Sequence, residues 1–321
     1  MKILITGASG FVGGAIARKL RTQHQLLGLA RSAASAEKVA EAGLQPLSGE
    51  LGKIEASTLT GVEVIVHCAA HVAQWGRRED FWRTNVVGTE QLLQAASAAG
   101  VRRFIHMGTE AALFDGAPLV QIDEGQAYPA STPYLYSETK AEAEKRVLAA
   151  NGEAMQTLSL RPRLVWGPGD QTVLPELLEM VRSGQYWWVD QGRNRTSTCH
   201  IANLVHATTL ALDSGRGGQP YFIVDPGQTT YREFLTALMA TRGVTPPGRS
   251  LPGTVIRGMA GAMDLLWRTL RLRGQPPLTP FAAAMLSREC TIESDKAARE
   301  LGFRAVMTRD QGLAELAAVA D

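Results

Sequence analysis

The opening segment MKILITGASGFVGG constrains the fold of this chain more than any other stretch. A short apolar run ends in glycines at positions 7, 10 and 13. Phe11, Val12, Ile16, Ala17 and Leu20 then share one face at helical spacing, which predicts a helix over residues 11–22. In a strand that turns through glycine into a helix, each glycine has its own task. Gly7 permits the tight turn, Gly10 lets a phosphate come close to the backbone, and Gly13 lets the helix pack on the strand. The helix N-terminus adds amide donors and the positive end of its dipole. The segment therefore predicts a bound dinucleotide, with Thr6, Gly7, Gly10, Phe11, Val12 and Gly13 around its phosphates.

Behind this turn the chain alternates. QLLGLA (25–30), VEVIVHCAA (62–70), RFIHMG (103–108) and MQTLSLRP (155–162) read as buried strands. AEKVAEAG (36–43), DFWRTNVVGTEQLLQAASAAG (80–100) and PYLYSETKAEAEKRVLAANG (133–152) read as helices closed by glycine. Such alternation makes right-handed crossover units on a parallel sheet covered on both faces. The predicted fold class is α/β, a Rossmann-type doubly wound parallel sheet over residues 1–168. A smaller mixed α/β substrate domain follows over residues 169–321, and some of its segments return to the first. There WWVD (187–190), TSTCHI (196–201) and PYFIVD (220–225) read as strands, YREFLTALMAT (231–241) as a helix and TPPGRSLPG (245–253) as a connector. Ligands of such sheets sit beyond the carboxyl ends of the strands, so the strand ends are where chemistry is expected.

Bulk properties remove whole classes of function. Thirty-three basic residues against 31 acidic ones leave a net charge of +2, which calls for neither nucleic acid nor an anionic membrane. The three cysteines are scattered, which predicts no metal cluster and no disulfide framework. With no apolar run long enough to span a bilayer and only ILIT near the start, the expected setting is the cytoplasm.

Two features suggest which cofactor is used and for what. An acidic residue at the end of the second strand would bind the 2′-hydroxyl of NAD. The sequence has GLARS there, with Ala30 at that place followed by Arg31 and Ser32, a base and a hydroxyl that suit a 2′-phosphate. NADP(H) is therefore favoured over NAD(H). Downstream, YLYSETK holds Tyr136 and Lys140 four residues apart, on one helical face. A nearby ammonium lowers the pKa of a phenol and makes it a usable acid–base, and Tyr134 lies too far round the helix to share that role. Thr132 and Pro133 read as the start of this helix. Thr109, where RFIHMG spills out of its strand, offers a hydroxyl to a carbonyl oxygen beside Tyr136.

TGASGFVGG, HCAA (67–70), TNVVGT (84–89), MGTEAAL, YSETK and RPRLVWGPGD (161–170) occur together and in order. On these motifs the chain resembles the extended short-chain dehydrogenase/reductases, the NAD-dependent epimerase/dehydratase family, along nearly its whole length. MGTEAAL, RPRLVWGPGD and GQPYFIVD resemble the branch of 3β-hydroxysteroid dehydrogenases and β-keto reductases. The resemblance implies Tyr136 as proton donor or acceptor, Lys140 as its partner on the nicotinamide ribose, Thr109 in place of the usual serine and Asn85 as support. It implies Ala69, Ala70, Pro162, Arg163 and Val165 along the cofactor. Glu50, where the family usually has aspartate, and Leu51 would lie near the adenine. A homodimer through the helices carrying Asn85 and Tyr136 is implied as well.

Over the substrate, the candidates are Trp75 in the loop after the HCAA strand, Glu110, Arg163, Trp187 and Arg195. Packing competes as the role of Trp187, and plain solvation as that of Arg195. His200 reads as a helix cap. TVIRGMAGAMDLLWRTLRLRG (254–274) reads as a packed amphipathic helix, with a lid, a subunit contact and a peripheral membrane contact as the other roles open to it. The function expected is an NADP(H)-dependent ketoreductase or hydroxy-dehydrogenase for a hydrophobic ketone/alcohol pair, steroid-like or β-keto. The alternative is a nucleotide-sugar epimerase or dehydratase with bound NAD(P).

Overall fold

A computed structural model of the chain describes residues 1–318; the last three residues of the expected second domain, 319–321, lie outside the described residues. Seven parallel strands form the central sheet: β1 (Lys2–Thr6), β2 (Gln25–Ala30), β3 (Gln45–Ser48), β4 (Val64–His67), β5 (Arg103–Met107), β6 (Gln156–Pro162) and β7 (Gln219–Ile223). Their spatial order is β7-β6-β5-β4-β1-β2-β3, so the order reverses between β1 and β4. A crevice for a ligand opens at that reversal.

Alternate residues of each strand enter different layers, because successive side chains point to opposite faces. Ile3, Ile5, Val64, Val66 and Ile105 pack under α1 (Phe11–Leu20), α2 (Ala33–Glu41) and α5 (Ile201–Leu210). Leu4, Ile65 and Phe104 pack under α3 (Gly88–Ala98) and α4 (Leu135–Ala149). The strand runs read from sequence as buried are buried here, with Ile3, Leu4, Ile5 and Ile65 fully so.

Three features differ from the sequence reading. β3 was not singled out: its four residues are mostly exposed at the sheet edge, and Pro46 is tolerated there because an edge strand need not donate on both sides. The helix predicted over 80–100 is continuous but passes through a π-helical stretch, Trp82–Val87, before becoming α3. α4 starts at Leu135 with Tyr134 as N-cap. Thr132 is not the cap: its hydroxyl donates to the Phe114 carbonyl at 2.9 Å.

The second half of the chain returns to the sheet at β7 and at α5, which packs on α1. His200 caps α5, its Nδ1 accepting from Ala202 N at 3.3 Å. The remaining elements of this half are helices and short strands, of which the helix Asp295–Glu300 also packs on β7. They include α6 (Gly253–Leu270) and α7 (Pro280–Leu286), which pack on each other. Asp225, just past β7, is buried and stitches this half together, accepting hydrogen bonds from His200 N, Asn203, Thr198 and Trp166.

Candidate active site

The glycine turn has the geometry its sequence demands. Gly7 sits at φ +70°, the left-handed region that favours glycine. A Cβ on Gly13 would lie 2.3 Å from the Gly7 carbonyl oxygen, so α1 can approach β1 only without one. Gly10 is the N-cap and has no side chain to cap with, which leaves the first-turn amides of Phe11, Val12 and Gly13 to an outside acceptor. This donor set and its bare backbone cradle fit a dinucleotide pyrophosphate. Thr6 is placed differently from the expectation. Its hydroxyl lies 2.7 Å from His67 Nδ1 and accepts from Ala69 N at 3.1 Å, so it pins the strand end that carries Ala69 and Ala70 and does not face a phosphate.

At the far end of the crevice, Ala30 is buried at the end of β2 and Arg31 is exposed beyond it. Ser32 caps α2 in a reciprocal capping box with Ser35, so its hydroxyl is already engaged. Glu50 bonds Lys53 at 2.7 Å, and its carboxyl is held below the usual range by Lys53 first, with Arg83 and Arg31 adding. Leu51 packs at the edge of the core beside α3.

Tyr136 and Lys140 stand one turn apart near the start of α4. The buried Lys140 ammonium donates to the Met107 carbonyl at 2.7 Å and lies 3.3 Å from His106 Nε2. Burial pulls its pKa down to about 8, against the pull of Glu144. The Tyr136 phenol moves opposite to the expectation. Burial and then Glu110 push its pKa above the ordinary value, while a hydrogen bond with Thr109 acts in the other direction. Lys140 spends donors on β5, and the phenol is set by what lies on its other side.

That other side is a buried relay. Thr109 donates to Glu110 Oε2 at 2.8 Å, and Arg163 Nη1 donates to Glu110 Oε1 at 2.5 Å. Arg163 is only 2% exposed and also donates to Thr196 at 3.0 Å and to the Tyr231 hydroxyl at 2.8 Å. Burial alone would lower the Arg163 pKa; Cys290, Tyr231 and Glu110 together hold it above the ordinary value. Glu110 and Arg163 were expected to meet substrate or cofactor. Both are instead enclosed, because two desolvated charges are tolerable only when paired and fully hydrogen-bonded. Their link to the site is the hydrogen bond that Glu110 accepts from Thr109.

Asn85, in the π-helical stretch, accepts from His71 N at 2.7 Å and donates to the His71 carbonyl and to Thr139. It ties the loop after β4 to α4. Trp75 in that loop donates to Asp264 of α6 at 2.6 Å, with the Arg268 guanidinium over its ring. Pro162 is buried at the end of β6, and Val165 pairs with Cys199 in a short parallel ladder. Trp187 lies under the Arg249 guanidinium, and Arg195 is 4.0 Å from Glu289; both have partners of their own.

Sequence reasoning missed three contributors. Phe281 of α7 meets Tyr136 edge-on at 5.8 Å and also packs on Tyr134 and Phe114, forming an aromatic wall beside the phenol. His106 sits next to Lys140 from the middle of an apolar strand run. Glu144 and Arg161 form a buried ion pair beneath the site, with Gly108 leaving room for the Glu144 carboxylate. In the sequence Arg161 is a charge inside a buried strand, whereas Glu144 is one of several charges on an amphipathic helix and carries no signal of its own.

With this geometry in hand, known proteins become informative. The family model described as 3-beta hydroxysteroid dehydrogenase/isomerase matches residues 4–253. The chain belongs to this family. It is thereby an NAD(P)-dependent oxidoreductase of the short-chain dehydrogenase/reductase type, acting on CH–OH groups. Among curated relatives, the 4-hydroxy-2-methyl-3-oxo-4-farnesyl-3,4-dihydroquinoline-1-oxide ketoreductase of Stigmatella aurantiaca is 39% identical, over 98% of this chain and 95% of the relative. The 2-alkyl-3-oxoalkanoate reductase of Stenotrophomonas maltophilia is 32% identical over 99% of both chains. Among solved structures, UDP-glucuronic acid 4-epimerase from Bacillus cereus in complex with NAD superposes with a TM-score of 0.76 over 98% of this chain and 97% of that one. At 18% identity it shows the fold alone. The alternation and the glycine turn of this family member were thus read correctly from sequence as a Rossmann-type sheet.

Proposed function

We propose that this chain is an NADP(H)-dependent ketoreductase or hydroxy-dehydrogenase for a hydrophobic ketone/alcohol pair. The observation that carries the reading is the grouping of Thr109, Tyr136 and Lys140 beside an aromatic wall of Phe281, Tyr134 and Phe114. A polar acid–base pair against apolar rings suits a carbonyl on a greasy skeleton. The relatives named as ketoreductase and 2-alkyl-3-oxoalkanoate reductase support a β-keto or other ring- or chain-borne ketone.

When bound, the nicotinamide supplies or accepts a hydride at the carbonyl carbon. Tyr136 gives its hydroxyl proton to the carbonyl oxygen in reduction and takes it back in oxidation. Thr109 lies beside the phenol and is held by its hydrogen bond to Glu110; its hydroxyl, turned toward the phenol oxygen, would favour the phenolate that forms as the proton leaves. Lys140 holds its charge at the end of β5, where the nicotinamide ribose would lie, and Asn85 keeps the loop after β4 in place. The phosphates would rest on residues 7–13. Arg31, exposed just past Ala30, which stands where an acidic residue would select NAD, supports a 2′-phosphate and hence NADP(H). A dehydratase needs a further acid–base group to eliminate water from the sugar, and the carboxylate beside Thr109, Glu110, is sealed by Arg163. A homodimer through α3 and α4 and a cytoplasmic setting complete the reading; the two helices pack side by side, leaving outer faces for a partner.

The test is cofactor oxidation by the purified protein, with NADPH and NADH in parallel, against hydrophobic ketones, β-keto esters and 3-ketosteroids. Turnover that prefers NADPH and disappears in Tyr136→Phe is expected. No oxidation on any ketone, together with conversion of a nucleotide sugar, would replace this reading with the alternative.

A further inference from the structure

Lys140 is almost wholly buried, and its ammonium carries three N–H donors that each need an acceptor. The Met107 carbonyl takes one at 2.7 Å, and His106 Nε2 lies 3.3 Å from the same nitrogen. An ammonium has no lone pair to offer, so His106 can only accept there. Its Nε2 must be bare and its proton must sit on Nδ1. Nδ1 is buried and, among the described residues, finds no partner. A buried donor without an acceptor is costly, and a leucine in this apolar strand would carry no such cost. What the imidazole adds over an apolar side chain is its contact with Lys140.

The ring is backed by a second histidine. His67, on the neighbouring strand β4, lies with its ring centre 5.5 Å from that of His106. The protons around His67 can be placed one by one. The Thr89 hydroxyl donates its single proton to the Asn85 carbonyl at 2.7 Å, so at 2.9 Å it accepts from His67 Nε2. His67 Nδ1 is then bare and accepts from the Thr6 hydroxyl at 2.7 Å. Both imidazoles are thus neutral, and burial first, then the Lys140 charge, holds each below the ordinary histidine range. The other titratable groups near Lys140 are Tyr136 one turn before it, Glu144 one turn after it and Cys68 past β4. Among the described residues, only Met107 and His106 take a hydrogen bond from the ammonium.

We infer that His106 is a positioning residue for Lys140: with the Met107 carbonyl it ties two of the three ammonium N–H groups to β5 and leaves one for a bound ligand. The ligand that would meet this last N–H is the nicotinamide ribose; that use, though not the pinning, rests on the function proposed above. The contact has a measurable consequence. An acceptor on a buried ammonium stabilises its charged form, so removing the acceptor makes Lys140 give up its proton more readily.

NMR of the full chain labelled with ¹³C at lysine Cε tests the inference, because that carbon's shift follows the charge on Nζ; Lys140→Met assigns the signal. His106→Leu should lower the titration midpoint of Lys140 by roughly one pH unit or more, a loss of about tenfold in proton affinity. His106→Phe keeps a ring beside His67 without an acceptor and should shift the midpoint as far. His106→Gln, whose Oε1 can accept in place of Nε2, should stay close to wild type. NADPH binding near neutral pH, read by fluorescence titration, should weaken about tenfold in the first two variants and be restored in the third. A midpoint unchanged in His106→Phe would overturn the inference. So would a His106→Gln midpoint displaced as far as that of His106→Leu, since packing of the imidazole would then be the cause. NADPH affinity equal in all four proteins would overturn it as well. The lysine titration needs neither cofactor nor turnover. A wild type that binds no dinucleotide would therefore count against the proposed function, and the titration would still decide for or against His106.

Discussion

The two flanks of Tyr136 are built in different ways. On the lysine flank, the partners are near in space because the fold's regular geometry puts them there. Lys140 is one helical turn away, and Met107 and His106 end the strand beneath it. On the threonine flank, Thr109 depends on Glu110, and Glu110 on Arg163, 53 residues away, which is itself held by Thr196 and Tyr231. Regular spacing constructs one flank; a chain of buried, long-range polar contacts constructs the other. The first should tolerate change elsewhere in the molecule, and the second should transmit it.

The largest effect is expected where the flanks meet. Tyr136→Phe should lower kcat by about 10²–10⁴-fold, the usual worth of a positioned acid–base, and leave cofactor affinity intact in fluorescence titration. Near-normal kcat would remove the phenol from the chemistry. Next in size, Arg163→Met leaves Glu110 buried without its cation, and breaking such a pair costs about 3–5 kcal/mol. Urea unfolding should show that loss, and the double variant Glu110→Gln/Arg163→Met should recover a good part of it. A purely additive cycle would mean that the two residues do not act as a unit.

A smaller effect is expected at the cofactor's far end. Arg31→Asp should move the NADPH/NADH ratio of kcat/KM toward NADH by roughly 10–100-fold, the range for losing charge-assisted hydrogen bonds. An unchanged ratio would place the 2′-phosphate elsewhere. The gentlest test sharpens the lysine flank. Lys140 has its pKa lowered to about 8, so it is charged below that pH and neutral above it. If its charge is needed, kcat/KM should fall by about tenfold per unit of pH above 8, because that ratio follows the free enzyme. The stability sign is separate: the unfolded lysine holds its proton to higher pH than the folded one, so stability should rise, not fall, from about pH 8 upward. A profile flat to pH 10 would show that the ammonium is not required.

The same contrast explains what could be read from the sequence. The glycine turn, the buried strand runs and the Tyr136/Lys140 spacing are local patterns, and each maps directly onto a periodic element. The edge strand β3 escaped because four mostly exposed residues with a proline carry no burial signal. Thr132 looked like a cap because its residue type and neighbour are right, yet its hydroxyl is drawn to the Phe114 carbonyl by tertiary packing. Arg163 and Glu110 looked like substrate contacts because a charge at a strand end usually faces a ligand. That each neutralises the other cannot be seen in a sequence where they stand 53 positions apart. Phe281 had no motif around it, and only the fold of the second half brings it to Tyr136.

The place of β7 at the rim of the sheet has a consequence for how the molecule is made. Its neighbour β6 is finished at Pro162, but β7 is complete only at Ile223. At ordinary ribosomal speeds the interval is about 3–12 s. During that time the nascent chain holds an almost complete sheet with an open edge, a template for pairing with another chain. Fragments that stop at the apparent boundary near residue 168 should meet the same hazard permanently and aggregate, however complete their nucleotide-binding motifs look.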